Sequence, residues 1–86
     1  MDEAPQPASV RDLVLLWAPG APSSAYAALA ADLGGDYREH MPRDWARRGR
    51  IPAEHIDPVV TAAQRRGFTQ VTHELVLRLV TAGVAA

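Results

Sequence analysis

The stretch DWARRGRIPA, residues 44–53, decides how this chain is expected to fold and what it exposes to solvent. It sets one tryptophan, Trp45, among arginines and then places Gly49 ahead of Ile51 and Pro52. Glycine readily takes the left-handed conformation that ends helices, and the residue before a proline prefers an extended backbone. The pattern therefore predicts a helix that ends at Gly49, followed by an extended step.

The helix that ends at Gly49 is expected to carry Trp45 inward and arginines outward, but Pro42 lies within its segment, residues 37–48. An interior proline removes a helical hydrogen bond and clashes with the preceding turn. Either the helix is kinked at Pro42, or residues 36–41 form a separate turn and the main helix begins with Pro42. We favour the second arrangement, because proline suits the first position of a helix. Asp36 and Glu39 also have the spacing of a capping box.

Two helices are predicted before this segment. Ser9 begins a Ser-x-x-Asp box ahead of an apolar run, which predicts a helix that Pro-Gly at residues 19–20 ends. Residues 21–24 form a loop that supplies an N-cap serine to an alanine-rich helix over residues 25–33, where apolar positions recur at helical spacing. Gly-Gly at residues 34–35 ends this second helix.

Two helices are also predicted after it. Residues 53–56 form one helical turn, and Asp57 then caps a helix that has Pro58 at its first position and Gly67 at its end. Thr72 caps a last helix, which Gly83 ends. That helix has an apolar stripe made of Leu75, Val76, Leu79 and Val80. The β-prone residues in this region leave a strand at residues 71–72 or 76–80 as the alternative.

The fold predicted from these elements is all-α, with about five short helices in a single domain. Eighty-six residues suffice for one domain only, and 48% apolar residues with few aromatics suit a core of packed helices. We expect a mobile proline-rich lead at residues 1–8, the domain at residues 9–83 and a frayed tail at residues 84–86. No apolar run approaches a membrane span and the N-terminus is acidic, so a cytoplasmic location is expected.

The charge distribution singles out the same region. The formal net charge is −1, but residues 1–36 carry one arginine against five acids, and residues 37–50 carry five arginines against two. A basic segment on a more acidic body is typical of a local anion-binding face. All nine basic residues are arginine, whose forked donors match phosphates and guanine edges.

Catalysis and metal binding have little support in the sequence. The serines stand at predicted helix caps, there is no cysteine, and no two of His40, His55 and His73 share a helical turn. Gly34 and Gly35 lack the spacing of a phosphate-binding loop. We therefore expect no enzyme activity, no metal and no cofactor.

The string Trp-x-Arg-Arg-Gly-x-Ile-Pro-Ala at residues 45–53 resembles the Cro/CI-type helix-turn-helix domains of phage origin. The closest groups are the YdaS-like and carph-isopro repressor-like domains. The resemblance spans roughly residues 24–76 and includes the Ala-Leu-Ala-x-x-Leu-Gly part that ends at Gly34. It implies a lambda-repressor-like fold and sequence-specific binding of double-stranded DNA. One departure is that Trp45 stands eleven residues after Gly34, where the family usually has about nine.

The resemblance also implies roles for particular residues. Trp45, Ile51 and Pro52 would anchor the recognition helix and the following loop to the core. The residues on either side of that tryptophan, Arg43, Asp44, Arg47 and Arg48, would face the DNA. Tyr37, Arg38 and Arg50 are the other expected DNA contacts, with Tyr37 divided between core packing and a phosphate contact. The alternative is a protein-interaction module that kept the fold but lost groove reading, such as an anti-repressor, an antitoxin-like partner or a polymerase-docking regulator.

A homodimer through the last helix is a further expectation. Leu77 and Val84 are apolar but lie off the stripe of that helix, so it would be apolar on a second side. The competing arrangement buries both sides within the domain.

Overall fold

The computed structural model describes residues 6–85 of the chain and the side chains of residues 6–81. Within this range the chain forms α-helices and no strand, so the all-α prediction is confirmed and the alternative of a strand near residues 71–80 is wrong. The helices are α1 (Val10–Leu15), α2 (Pro22–Leu33), α3 (His40–Arg48), α4 (Ala53–Arg65) and α5 (His73–Ala85). The Cα radius of gyration is 11.8 Å.

Helix α1 is short, yet it packs against α2, α3 and α5. Its predicted start is confirmed, because the Asp12 amide donates a hydrogen bond to Ser9 Oγ at 3.1 Å. The apolar face of α1 consists of Val10, Leu13 and Val14, all at most 1% exposed. Burial of each such side chain stabilises the fold by about 1.5–3 kcal/mol. A helix of six residues is therefore held by its core contacts rather than by its own hydrogen bonds.

The end of α1 differs from the prediction. The helix ends at Leu15 rather than at residues 19–20, because the amides of Leu16 and Trp17 bond to carbonyls three residues back instead of four. This tighter turn accompanies the burial of Trp17 in the core. Of the predicted lead at residues 1–8, residues 1–5 lie outside the described part, whereas Pro7 is buried.

Helix α2 begins at Pro22, three residues before the predicted start. Proline suits the first position of a helix, because it loses no helical hydrogen bond there and already has a suitable φ angle. The helix therefore begins before both serines, and the expected serine cap is not formed. Ser23 and Ser24 lie inside the first turn and are exposed. The predicted end is confirmed at Gly34, which has φ 72° and donates its amide hydrogen bond to the Ala30 carbonyl.

Helix α3 begins at His40, two residues before the favoured start at Pro42 and three after the start of the segment at Tyr37. Pro42 is the third residue of α3. The first amides of a helix have no acceptor within it, so proline there removes no hydrogen bond. The predicted capping box is wrong, since Glu39 itself occupies the N-cap position and makes no capping bond with its side chain.

Helix α4 is continuous from Ala53 to Arg65, so the prediction of a single turn followed by a new helix at Pro58 is wrong. Pro58 lies inside the helix and cannot donate a hydrogen bond to the carbonyl four residues back. Ile56 and Val59 on either side of it are both buried, at 3% and 0% exposure. Their shared burial holds the two parts in one helical register despite the proline.

Helix α5 starts as predicted, with the Leu75 amide donating to Thr72 Oγ1 at 3.1 Å. The predicted stripe is confirmed, since Leu75, Val76 and Leu79 are buried and Val80 is half-buried. The helix continues to Ala85, so Gly83 does not end it. The tail predicted at residues 84–86 thus begins inside α5, and its last residue lies outside the described part.

A polar network joins segments that are distant in sequence. Asp32 on α2 accepts hydrogen bonds from Trp17 Nε1 at 2.7 Å and from the guanidinium of Arg66, whose Nη2 lies 3.2 Å away. The bond from Arg66 is the main cause that lowers the pKa of Asp32, and the indole bond adds to it while burial opposes it. The same bond raises the pKa of Arg66. The network ties the turn after α1 and the end of α4 to α2.

We expect the substitution Asp32→Asn to make folding less sensitive to acid. Because the folded-state pKa of Asp32 is lowered, its stabilising contribution is complete above the unfolded value near pH 4 and is lost as pH falls through the folded value. The free energy of unfolding in urea should therefore fall more between about pH 6 and about pH 2.5 in the wild type than in Asp32→Asn. Asp36→Asn, at an exposed carboxylate, serves as the control. Equal losses in wild type and Asp32→Asn would contradict this account.

Candidate nucleic-acid interface

Helix α3 has one buried face and one exposed face. Pro42, Trp45 and Ala46 are buried, at the three- and four-residue spacings that place side chains on one side of a helix. The exposed residues of the helix are His40, Arg43, Arg47 and Arg48. The predicted orientation, with Trp45 inward and the arginines outward, is confirmed.

Trp45 holds α3 to the rest of the domain. Its side chain is only 5% exposed. The ring lies 5.3 Å from that of His55 on α4 and 6.4 Å from that of Tyr37, with the tyrosine ring edge-on. The Tyr37 hydroxyl and His55 Nδ1 share a hydrogen bond of 2.8 Å. This aromatic cluster, Tyr37, Trp45 and His55, joins α3 to α4 and to the turn before α3.

The end of α3 turns sharply at Gly49, as predicted. Gly49 has φ 73° and ψ 25°, the left-handed conformation that favours glycine. The Trp45 carbonyl accepts hydrogen bonds from the amides of both Gly49 and Arg50, at 2.8 and 3.2 Å. Ile51 follows and is 1% exposed, so its expected packing on the core is confirmed. Pro52 is half-buried at the N-cap of α4.

A shallow pocket lies between α3 and the segment that follows it. Its volume is about 400 Å³, which falls within the range of about 300–1,000 Å³ typical of small-ligand sites. We call it the arginine pocket. Its lining residues are His40, Met41, Asp44, Trp45, Arg48, Arg50 and Pro52.

Ion pairs divide the arginines of this region into two groups. Arg43 pairs with Glu39 at 3.5 Å and Arg47 pairs with Asp44 at 3.1 Å, both within the α3 segment. The other three arginines of residues 37–50 make no ion pair with any residue that the structure describes. They are Arg38, Arg48 and Arg50. The excess of three positive charges in this region is therefore carried by these three side chains.

The structure brings most of the expected contact residues to one side of the domain. Arg43, Asp44, Arg47 and Arg48 lie on α3, and Arg50 adjoins Arg48 at the arginine pocket. Arg38 is exposed in the turn before α3. Tyr37 differs from the others, because it is half-buried and its hydroxyl is bonded to His55. The hydroxyl of Tyr37 can donate to a phosphate while keeping that bond only when His55 Nδ1 is the donor in it.

Sequence reasoning overlooked His40 as a member of this site. His40, Asp44 and Arg48 recur every four residues and so fall on one helical face, and all three line the arginine pocket. The four-residue spacing can be read from the sequence. It indicates a shared helical face only if α3 is known to begin at His40. The bond between Tyr37 and His55, by contrast, joins residues eighteen apart and has no local signature.

Comparison with known proteins identifies no relative of this chain. No protein-family model, no curated protein and no solved structure matches the chain. In the described residues, no three histidine or acidic side chains come together to hold a metal ion. None of the helices there combines the length and the hydropathy needed to cross a membrane. What the chain binds must be inferred from its own side chains.

Replacement of Trp45 by alanine is expected to lower the free energy of unfolding by about 3–5 kcal/mol, because it removes a buried indole and leaves a cavity. Trp45→Phe should lose less, since a ring still contacts His55. Chemical denaturation followed by circular dichroism measures both, and Arg43→Ala is the control because an exposed charge contributes little. A Trp45→Ala variant as stable as the wild type would show that this ring is not the anchor of α3.

Proposed function

We propose that this chain is a sequence-specific DNA-binding regulator of transcription that inserts α3 into the major groove of duplex DNA. The observation that carries the proposal is the two-sided character of α3. Pro42, Trp45 and Ala46 hold it to the core, while Arg43 and Arg47 project from the exposed face. A reading helix needs this combination, because the major groove admits one helix whose outer side chains reach the base edges.

The order of α2 and α3 supports a helix-turn-helix arrangement. The two helices pack against each other and are joined by residues 34–39, with Gly34 and Gly35 both at positive φ. This connection is longer than the three- or four-residue turn usual in the motif. We propose a lambda-repressor-like domain of the Cro/CI type, which residues 45–53 resemble. It differs from the usual motif in the longer turn before its reading helix.

Arg43 and Arg47 are the proposed base-reading residues. Each guanidinium can donate two parallel hydrogen bonds to the O6 and N7 atoms of a guanine. Their pairs with Glu39 and Asp44 are exposed, so exchanging them for contacts with DNA costs little. Asp44 can in turn accept a bond from a cytosine amino group.

The same ion pairs favour a second function, that of a protein-interaction module on a helix-turn-helix fold. They neutralise Arg43 and Arg47 internally, and a mixed-charge helix face suits a protein surface of alternating charge. Such a partner would belong to the transcription machinery or to a second regulator. The two functions differ in their dependence on salt, which is steep for duplex DNA because bound phosphates release counterions.

We expect the double variant Arg43→Ala, Arg47→Ala to bind duplex at least about tenfold more weakly than the wild type, since each bidentate base contact contributes about 1–3 kcal/mol. Mobility shift of mixed-sequence duplex at low salt measures the loss. The double variant Arg65→Ala, Arg78→Ala is the control, because it removes the same charge from exposed positions on α4 and α5. Equal losses in both variants would contradict reading by α3. No shift with wild type at any concentration would favour the protein-interaction module.

A homodimer is part of the proposal. Leu77 on α5 is 45% exposed, the one large apolar side chain of residues 6–81 found so exposed, and it lies off the buried stripe. Helix-turn-helix proteins commonly bind two half-sites as dimers. In the proposed dimer, Leu77 lies at the contact between the two copies.

Leu77→Glu should therefore leave the chain folded but monomeric by light scattering, and it should weaken duplex binding. Thr61→Glu adds the same charge at an exposed position on α4 and is the control. A wild type that is already monomeric at tens of micromolar, both free and with DNA, would contradict the dimer.

A further inference from the structure

We propose that the arginine pocket is a phosphate-binding site, in which Arg48 and Arg50 together hold one phosphate group. This deepens the proposed function, on which it rests for the source of the phosphate, the backbone of the bound duplex. It assigns Arg48 and Arg50 to backbone contact, separate from the base contacts of Arg43 and Arg47.

The charges of the pocket support an anionic ligand. Arg48 and Arg50 both line it, both are exposed, and neither makes an ion pair with the described residues. The acid that also lines the pocket, Asp44, is bonded to Arg47 at 3.1 Å. In the free chain the charge of Asp44 is therefore offset from outside the pocket. When Arg47 turns to a base instead, the two arginines of the pocket still outnumber this one acid, so the pocket stays positive and attracts an anion.

The chemistry of arginine suits a phosphate group. A guanidinium presents donors in a planar fork that matches two oxygens of a phosphate group. A backbone phosphate has two non-bridging oxygens, and each of them can accept hydrogen bonds from more than one guanidinium. A pocket volume of about 400 Å³ leaves room for the phosphate and the adjoining sugar atoms.

The backbone positions the two arginines before any ligand arrives. Gly49, at φ 73°, reverses the chain between them, and the Trp45 carbonyl accepts the amides of both Gly49 and Arg50. The Trp45 side chain that lines the pocket is only 5% exposed. The backbone of Arg48 and Arg50 is thus held against the core before binding. This lowers the conformational entropy that is lost when the two side chains bind a phosphate.

A phosphate at this place would position α3 along the duplex. Contacts to the backbone set the register and orientation of a protein, while base edges supply sequence information. The arginine pocket lies at the C-terminal end of α3, and Arg43 lies five residues, or about 1.4 turns, before Arg48 on the same helix. A backbone phosphate held at one end would fix how far Arg43 and Arg47 reach across the bases.

The first arm of the test measures the dependence of duplex affinity on salt. The proteins are wild type, Arg48→Gln, Arg50→Gln, the double variant, and the charge-matched control Arg65→Gln, Arg78→Gln. Each neutralised phosphate contributes about 0.9 to the slope of log K against log salt. Since both arginines act on one phosphate, the double variant should lose about 0.9 of slope and each single variant no more than that. The control should keep the slope of the wild type.

The second arm uses inorganic phosphate alone and does not depend on duplex binding. We expect phosphate to shift the Nε–H signals of Arg48 and Arg50 and the indole signal of Trp45 in nuclear magnetic resonance spectra, with saturation. The Nε–H signals of Arg65 and Arg78 should shift less. In Arg48→Gln, Arg50→Gln, the indole shift should disappear.

The outcomes separate the pocket from the proposed function. An unchanged slope in the double variant, or a loss of about 1.8 that indicates two separate phosphates, overturns the shared site while DNA binding stands. If wild type binds no duplex, the proposed function fails, and the second arm decides the pocket. Phosphate shifts spread equally over all arginines, or no shifts at all, then overturn the pocket as well.

Discussion

Burial of the Trp45 ring is the constraint on which the exposed surface of the domain depends. A helix as short as α3 has little stability of its own, so a contact with the core must set its position and its rotation. The ring contacts His55 and Tyr37, and Pro42 and Ala46 are buried on the same side. Because that face is held against the core, the arginines of α3 project into solvent.

The rest of the core supports this arrangement from behind. Helix α1 packs against α2, α3 and α5, and its buried valines and leucine join the core cluster that includes Trp45. The network of Trp17, Asp32 and Arg66 ties the turn after α1 to the end of α4. The arginines of residues 37–50 lie outside that network, and three of them, Arg38, Arg48 and Arg50, make no ion pair with the described residues.

Local signals in the sequence predicted much of the fold. The caps at Ser9 and Thr72 and the glycines at Gly34 and Gly49 act on their own helix ends, so a few neighbouring residues suffice to recognise them. Helix starts near prolines were less predictable. Proline is tolerated at several positions of the first turn, and core contacts decide among them.

Tertiary contacts also explain which features could not be predicted from the sequence. Pro58 lies within a continuous helix because Ile56 and Val59 share the core, a tertiary effect that no local rule contains. Arg66 bonds to an aspartate thirty-four residues earlier, a contact that no local pattern indicates. The outward arginines of α3 were predictable because one buried tryptophan in an arginine run determines the inner face. The ion pairs that divide those arginines into two groups could be identified only from the positions of the side chains.

The most direct test of the central claim is a map of backbone amide shifts in the isotope-labelled chain, titrated with mixed-sequence duplex at low salt. The largest changes are expected on residues 40–50, across α3 and its glycine cap, and the exposed residues of α4 and α5 are expected to change little. Changes concentrated on α5, or the absence of any change, would contradict the claim that the exposed face of α3 is the surface that binds DNA.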